Sequence, residues 1–148
     1  IFFSRGVIET VKKLGWAPDI IHCHGWFTSL VPLYIKKVFA DNPLFSNSKV
    51  LYSLYSDDFP EKLDKNYADK IRLDGIKDED LKHYKEPDYV SIIKAAVDFS
   101  DALIIGQENI SDELISYAKA SEKPILEYQD MDTYIQAYSD FYDQVLGK

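Results

Sequence analysis

The sequence predicts an α/β fold, with a mostly parallel sheet of about four strands and helices on both of its faces. Two observations predict this class. Short apolar runs alternate along the chain with segments whose apolar residues recur every three or four positions. The runs are also separated by connections long enough to cross over a sheet, as parallel strands require. With 148 residues, 46% of them hydrophobic, the chain can build one compact domain.

Two helices and two strands are predicted in the first part of the chain. Their ranges are 2–14 for a helix, 20–24 for a strand, 26–39 for a helix and 49–55 for a strand. Gly15 ends the first helix and Gly25 ends the first strand. Thr28 is the predicted N-cap of the second helix.

A polar, charge-rich stretch over residues 56–87 separates these elements from the rest, and we expect it to be a partly helical excursion over the surface. The elements predicted beyond it are a helix over 88–99, a strand over 101–106, a helix over 112–118, a strand over 124–128 and a helix over 131–146. Ser111 is the predicted N-cap of the helix that follows it. This alternation favours right-handed crossovers and a sheet that is covered on both faces.

The composition argues against several classes of partner. The formal net charge of -8 disfavours binding to nucleic acid or to an anionic membrane. No apolar run approaches the length of about 18 residues that a membrane span needs. Cys23 is the only cysteine, so we expect no internal disulfide and a reducing, cytoplasmic location. Because the sequence begins with Ile1 rather than methionine, we also expect a processed or excised piece of a longer protein.

Ligands of parallel sheets bind beyond the carboxyl ends of the strands. Gly25, Ser56 and Gly106 lie at these ends, and we expect them to contact a substrate. Gly25 would let a ligand approach the backbone at the start of a helix, where amide groups favour anions. Glu108 either binds a sugar hydroxyl or belongs to a simple turn.

Two histidines lie in the first strand. We expect the side chains of His22 and His24 to point to opposite faces of the sheet, so that they do not share a metal ion. His24, at the carboxyl end of the strand, can exchange a hydrogen bond with a hydroxyl or phosphate of a substrate. The alternative is a pair of structural histidines with internal partners. We predict no metal site in the chain.

Three other features carry weaker predictions. Asp57 and Asp58 either supply acid–base or metal chemistry or form a solvated turn, and the turn is the simpler interpretation. We expect Cys23 to be a small buried apolar residue rather than a nucleophile. The four-residue spacing of tyrosines within 134–142 predicts one packed helix edge, in the core or at a partner interface.

One segment, from Trp16 to Ile35, carries a family resemblance. Its motif is Pro18-Asp19-Ile20-Ile21-His22-Cys23-His24-Gly25-Trp26, followed by Leu30-Val31-Pro32-Leu33-Tyr34. The segment resembles the catalytic domain of bacterial glycogen synthases and plant starch synthases, where Pro-Asp, two hydrophobic residues and His-x-His-Asp-Trp precede a helix with a Leu-x-Pro-x-Tyr-like sequence. Weaker similarity extends over most of the chain.

The resemblance implies a Rossmann-like fold and a retaining glycosyltransferase that extends an α-1,4-glucan from ADP-glucose, in a cleft between two domains. ADP-glucose is the donor substrate in that family, and no cofactor is implied. Residues 1–148 would form part of the amino-terminal, acceptor-side domain, with the donor domain absent. His24 corresponds to the histidine that contacts the transferred glucose, and Trp26 lies at the mouth of the same site.

The chain departs from the family pattern at each strand end. Gly25 replaces an aspartate, Ser53-Leu54-Tyr55-Ser56 replaces Thr-hydrophobic-His-Asn, and Ile105-Gly106-Gln107 replaces a Val-Ser-Pro turn. The last residues, 144–148, are typical of a natural chain end. We therefore expect an incomplete glycosyltransferase that is inactive as this chain. The alternative is a non-catalytic module that binds glucan, a protein partner or a second copy of itself.

Overall fold

The centre of the molecule is a four-stranded sheet, seen in a computed structural model that describes residues 1–148. The strands are β1 (Ile20–His24), β2 (Lys49–Leu54), β3 (Ala102–Ile105) and β4 (Ile125–Leu126). All three pairings are parallel, and the order across the sheet is β1-β2-β3-β4. This confirms the predicted α/β class and the number of strands.

Six helices surround the sheet. They are α1 (Phe2–Leu14), α2 (Leu30–Leu33), α3 (Tyr67–Ile71), α4 (Tyr89–Phe99), α5 (Asp112–Ala120) and α6 (Tyr134–Leu146). Short 3-10 helices cover Trp26–Thr28 and Asp78–Tyr84, and a π-helical turn over Tyr34–Val38 continues α2. Residues 56–87 thus form the partly helical excursion that was predicted. No helix in the structure combines the length and the apolar character needed to cross a bilayer.

The two faces of the sheet carry unequal layers. One face packs against α1, α2, α4 and α5 in a core of 25 buried residues, because consecutive right-handed crossovers between neighbouring strands place their helices on one side. The other face packs against α6 alone, where Phe141 meets Leu51 and Ile104. The tyrosines Tyr138 and Tyr142 pack beside this smaller core, as the predicted helix edge requires.

Most helix and strand boundaries agree with those predicted from the sequence. The predicted helix caps give a closer test. The hydroxyl of Ser111 accepts a hydrogen bond from the N–H of Leu114, which confirms that N-cap. The N-cap predicted at Thr28 is wrong: its hydroxyl lies 3.0 Å from the carbonyl oxygens of both His24 and Gly25, and α2 begins only at Leu30. The hydroxyl of Thr28 donates to these carbonyls as part of the short 3-10 turn, and no backbone N–H of α2 donates to it.

The last strand is shorter than predicted. Only Ile125 and Leu126 pair with β3, although the pattern indicated a strand over 124–128. As an edge strand, β4 has β3 as its single partner, and its pairing ends at Leu126 although β3 continues to Ile105.

Candidate functional site

Three strand ends meet at the carboxyl edge of the sheet. The register aligns His24 with Ser53 and aligns Leu54 with Ile105. The residues that follow these strands therefore lie side by side, and they form the group that we call the strand-end cluster: His24, Gly25, Tyr55, Ser56 and Gly106.

The prediction that His22 and His24 point to opposite faces was wrong. Their rings stack with centroids 3.9 Å apart and planes inclined by 29°. Side chains alternate along a strand, so residues two positions apart share a face. The two imidazoles thus form one unit on the face that α6 covers.

His22 is a structural histidine with two internal partners. Its Nδ1 lies 2.6 Å from the hydroxyl oxygen of Tyr142 in α6, and its Nε2 lies 2.7 Å from Oγ of Ser53 in β2. Burial, together with the positive charge of a protonated His24, lowers the pKa of His22 to about 4. The ring is therefore neutral near pH 7 and ties β1 to both β2 and α6.

His24 has a different environment, because it is exposed and keeps one nitrogen without a partner. Its Nδ1 lies 3.0 Å from the hydroxyl oxygen of Tyr55, and its Nε2 makes no hydrogen bond within the chain. Burial lowers the pKa of His24, which favours the neutral ring. A neutral, oriented imidazole can donate or accept one hydrogen bond to a ligand at the strand end.

The backbone next to Gly25 is engaged by a side chain of the same protein. The backbone of Gly25 has φ 69°, and a Cβ there would collide with Oδ2 of Asp57. The same oxygen accepts a hydrogen bond of 3.0 Å from the N–H of Trp26. The carboxylate of Asp57 therefore occupies the space beside Gly25 where the sequence predicted an approaching ligand.

Asp57 is also tied to α4. The hydroxyl of Tyr89 lies 2.9 Å from Oδ1 of Asp57 and 2.6 Å from the carbonyl oxygen of Tyr55, so one proton is shared between two acceptors. Asp58 is exposed and makes no such contact. The two aspartates therefore lie in a turn, where Asp58 faces solvent and Asp57 accepts hydrogen bonds from the protein.

Ser56 and Gly106 lie where the sequence predicted them, next to each other across the strand ends. The N–H of Ser56, which is exposed, donates to Oε1 of Gln107 at 3.1 Å. A Cβ on Gly106 would lie 2.7 Å from two ring atoms of Tyr55, so a glycine is needed for this ring to cross the end of β3. Tyr55 is the member of the cluster that sequence reasoning missed.

Two neighbours of the cluster face elsewhere. The indole of Trp26 packs edge-to-face against Phe27 and Phe59, with ring centroids 5.7 Å and 5.1 Å away. Cys23 is buried, and burial raises the pKa of its thiol to about 12. This confirms that Cys23 is a small core residue, because a protonated thiol is a poor nucleophile. Glu108 is exposed in the loop after β3.

Comparison with known proteins decides the family. Residues 1–127 match the starch synthase catalytic domain. The chain belongs to this family. The match contains β1, the strand-end cluster and all four strands, and it ends before α6 begins at Tyr134.

Relatives named glycogen synthase support the assignment. The protein of Chlorobium limicola is 50% identical over 56 residues, which cover 38% of this chain and 12% of that protein. The protein of Chlorobium phaeovibrioides is 32% identical over 117 residues, covering 79% of this chain and 23% of that protein. The protein of Clostridium perfringens is 29% identical over 122 residues, covering 76% and 23%.

The chain spans about a quarter or less of the length of these relatives. No solved structure matches the chain.

Proposed function

We propose that this chain supplies the acceptor-side part of a glycogen or starch synthase, which transfers glucose from ADP-glucose to an α-1,4-glucan. The observation that carries the proposal is the unpartnered Nε2 of His24, exposed at the carboxyl end of β1 within the family match. The location we propose is the cytoplasm, in keeping with a single, buried cysteine.

His24 has the properties of a group that orients a sugar. Its pKa is lowered and its ring is fixed from behind by the hydroxyl of Tyr55 and by the stacked ring of His22. A neutral ring held in this way offers a fixed dipole to a hydroxyl of the transferred glucose. Fixed dipoles stabilise the charge that develops in a transition state without reorganising.

The remainder of the reaction needs groups that the strand-end cluster does not contain. The end of β2 offers Tyr55 and Ser56, and the hydroxyl of Tyr55 is already engaged by His24. Near the cluster, the only carboxylate engaged with the backbone is Asp57, which is held by Trp26 and Tyr89. We therefore propose that the donor nucleotide binds to a part of the enzyme outside residues 1–148, and that this chain alone does not transfer glucose.

A transfer assay with labelled ADP-glucose and maltooligosaccharides tests the proposal in the full native polypeptide. We expect His24→Ala to lower turnover by about tenfold to a thousandfold, the usual loss for one oriented hydrogen bond in a transition state. His83→Ala is the matched control, because His83 binds Asp98 and Tyr117 away from the strand ends. Equal turnover of the His24 variant and the wild type, with both folded, would remove His24 from the site.

A second function is favoured by one specific observation. Asp57 fills the turn at Gly25, so the cluster is closed on that side by the protein's own carboxylate. This arrangement suits a module that binds glucan, or another protein, without catalysis. Calorimetric titration separates the two functions: binding of maltooligosaccharides without binding of ADP-glucose and without transfer supports the module, whereas nucleotide binding with transfer supports the enzyme.

A further inference from the structure

A continuous row of aromatic rings leads from α6 to the strand-end cluster. The rings of Tyr134 and Tyr138 in α6 meet edge-to-face with centroids 5.8 Å apart, and Tyr138 lies 5.9 Å from the ring of His22. His22 stacks on His24, whose ring lies 6.0 Å from that of Tyr55. We call these residues the aromatic row. It joins the last helix of the chain to the carboxyl ends of β1 and β2.

The path of α6 explains why the row reaches the strand ends. β4 is parallel to the other strands and ends at Leu126, so residues 127–133 leave the sheet at its carboxyl edge. α6 begins there with Tyr134, and Tyr142, about two turns later, reaches Nδ1 of His22 within β1. The helix therefore runs back along the sheet, and its first turn lies next to the strand-end cluster.

Both ends of the aromatic row are open to solvent. Tyr134 is 42% exposed, and His24 is exposed with an Nε2 that has no partner in the chain. Tyr138 and Tyr55 are half-buried between them. Burial, together with the nearby hydroxyl of Tyr55, raises the pKa of Tyr138, in keeping with two neighbouring neutral phenols. The row thus offers an exposed ring at one end and an unpartnered hydrogen-bonding nitrogen at the other.

The charges around the row favour a neutral ligand. Residues 124–147, which contain α6, have no lysine or arginine and carry five acidic side chains: Glu127, Asp130, Asp132, Asp140 and Asp143. Such a surface repels the phosphates of a nucleotide or a nucleic acid. It does not repel a sugar chain, whose hydroxyls can donate hydrogen bonds to carboxylates.

Sugar rings also match the row in shape and polarity. The face of a tyrosine ring carries partial negative charge, and the C–H groups on one face of a pyranose are apolar and slightly positive. The hydroxyls around the rim of the sugar need hydrogen-bond partners, and the phenol of Tyr134 and Nε2 of His24 can both serve. Rings spaced along a row can accept successive sugars of one chain.

We propose that the aromatic row binds a neutral α-glucan: Tyr134 stacks against one glucose unit, Tyr138 flanks the next, and Nε2 of His24 binds a hydroxyl of the same chain. The proposal rests on the proposed function for the choice of glucose polymer, and it adds binding residues in α6. This helix lies beyond residues 1–127, which match the family. α6 would therefore form part of the acceptor site as well as covering the second face of the sheet.

Calorimetric titration of the full native polypeptide with maltoheptaose tests the proposal. We expect Tyr134→Ala to raise the Kd about tenfold, since it removes the stacking face, and Tyr134→Phe to stay within about twofold of the wild type, since it keeps that face. Ile135→Ala is the matched control, because Ile135 is the next residue of α6, is 70% exposed and points about 100° around the helix from Tyr134. Its Kd should equal that of the wild type.

NMR spectra of the bound sugar provide a second measurement. Protons that lie over an aromatic ring shift upfield, so C–H protons of maltoheptaose should shift in the wild type and in Tyr134→Phe but not in Tyr134→Ala. Tyr134→Leu keeps the apolar bulk without the aromatic face, and it serves as the second variant if Tyr134→Ala does not fold.

Equal affinity of Tyr134→Ala and the wild type would overturn the proposal, and so would an equal loss in Ile135→Ala or in Tyr134→Phe. Binding of ADP that depends on Tyr134 would identify a nucleotide as the ligand and would also overturn it. A wild type that transfers glucose but shows no binding of maltoheptaose would overturn this proposal and leave the proposed function standing. Binding with the expected pattern but without transfer would support the aromatic row and overturn the enzymatic function.

Discussion

Acid should destabilise the protein through His22. Its pKa falls from the ordinary value of 6.5 to about 4 in the folded protein, because burial and the neighbouring His24 both disfavour the charged ring. Between a pH of about 4 and the ordinary pKa of 6.5, the unfolded chain binds more protons than the folded one. The free energy of unfolding therefore falls as the pH is lowered below 6.5. Above that value both states are neutral at His22, and its effect on stability no longer changes with pH.

The size of the effect follows from the pKa difference. The full difference corresponds to about 3 kcal/mol, reached only when the pH lies below both values. Because His22 keeps some contact with solvent, we expect about 1–2 kcal/mol to be lost between about pH 7.5 and pH 5.

Urea denaturation of the wild type and of His22→Asn at both pH values measures this loss. Asparagine keeps a polar side chain but does not titrate. On acidification the variant should therefore lose about 1–2 kcal/mol less of its free energy of unfolding than the wild type does. An NMR titration of the ring gives the midpoint directly. If the variant shows the same pH dependence as the wild type, or if the ring titrates near its ordinary pKa, the tie between β1 and α6 does not bury His22 as described.

Two further substitutions and one labelling experiment test the strand-end cluster and the residues next to it. Asp57→Ala removes the acceptor of the Trp26 N–H and should lower the free energy of unfolding by about 1–2 kcal/mol in urea denaturation. Gly106→Ala drives a Cβ into the ring of Tyr55 and should cost about 1–3 kcal/mol, with large chemical-shift changes at that ring. Cys23 should react with a thiol reagent only as fast as the protein unfolds, since its thiol is buried and protonated.

Matched controls separate these effects from general damage. Asp58→Ala, at the exposed neighbour, should change stability by less than about 0.5 kcal/mol. Gly6→Ala, in α1 with open space around the new Cβ, should be neutral or stabilising by up to about 1 kcal/mol. If a control variant loses as much free energy of unfolding as the matching Asp57 or Gly106 variant, the contact named for that variant is not the cause of its destabilisation. Labelling of Cys23 in the folded protein at the rate of an exposed thiol would contradict its burial.

Local patterns were sufficient for most of the fold. Apolar runs and helical periodicity place every strand and every long helix, because both signals act within a few residues. The N-cap at Ser111 follows from the same local chemistry, and the structure confirms it. The N-cap prediction at Thr28 failed because this residue belongs to the 3-10 turn over Trp26–Thr28, and α2 begins only at Leu30.

The histidine pair shows a different kind of failure. The two-residue spacing of His22 and His24 already puts both rings on one face of a strand, so the sequence held this information and the expectation of opposite faces was an error. The hydrogen-bond partners of His22, in contrast, could not be predicted from the spacing of neighbouring residues. Tyr142 is 120 residues away and Ser53 is 31 residues away.

By itself, the sequence determined the class of the fold, the order of its elements, the burial of Cys23 and the family, since these depend on local periodicity and on the motif around β1. Only the tertiary structure decided that Asp57 closes the turn at Gly25 and that α6 holds His22. Such contacts depend on strand register and on the path of each crossover. These are set by the packing of the whole core, and no short segment encodes them.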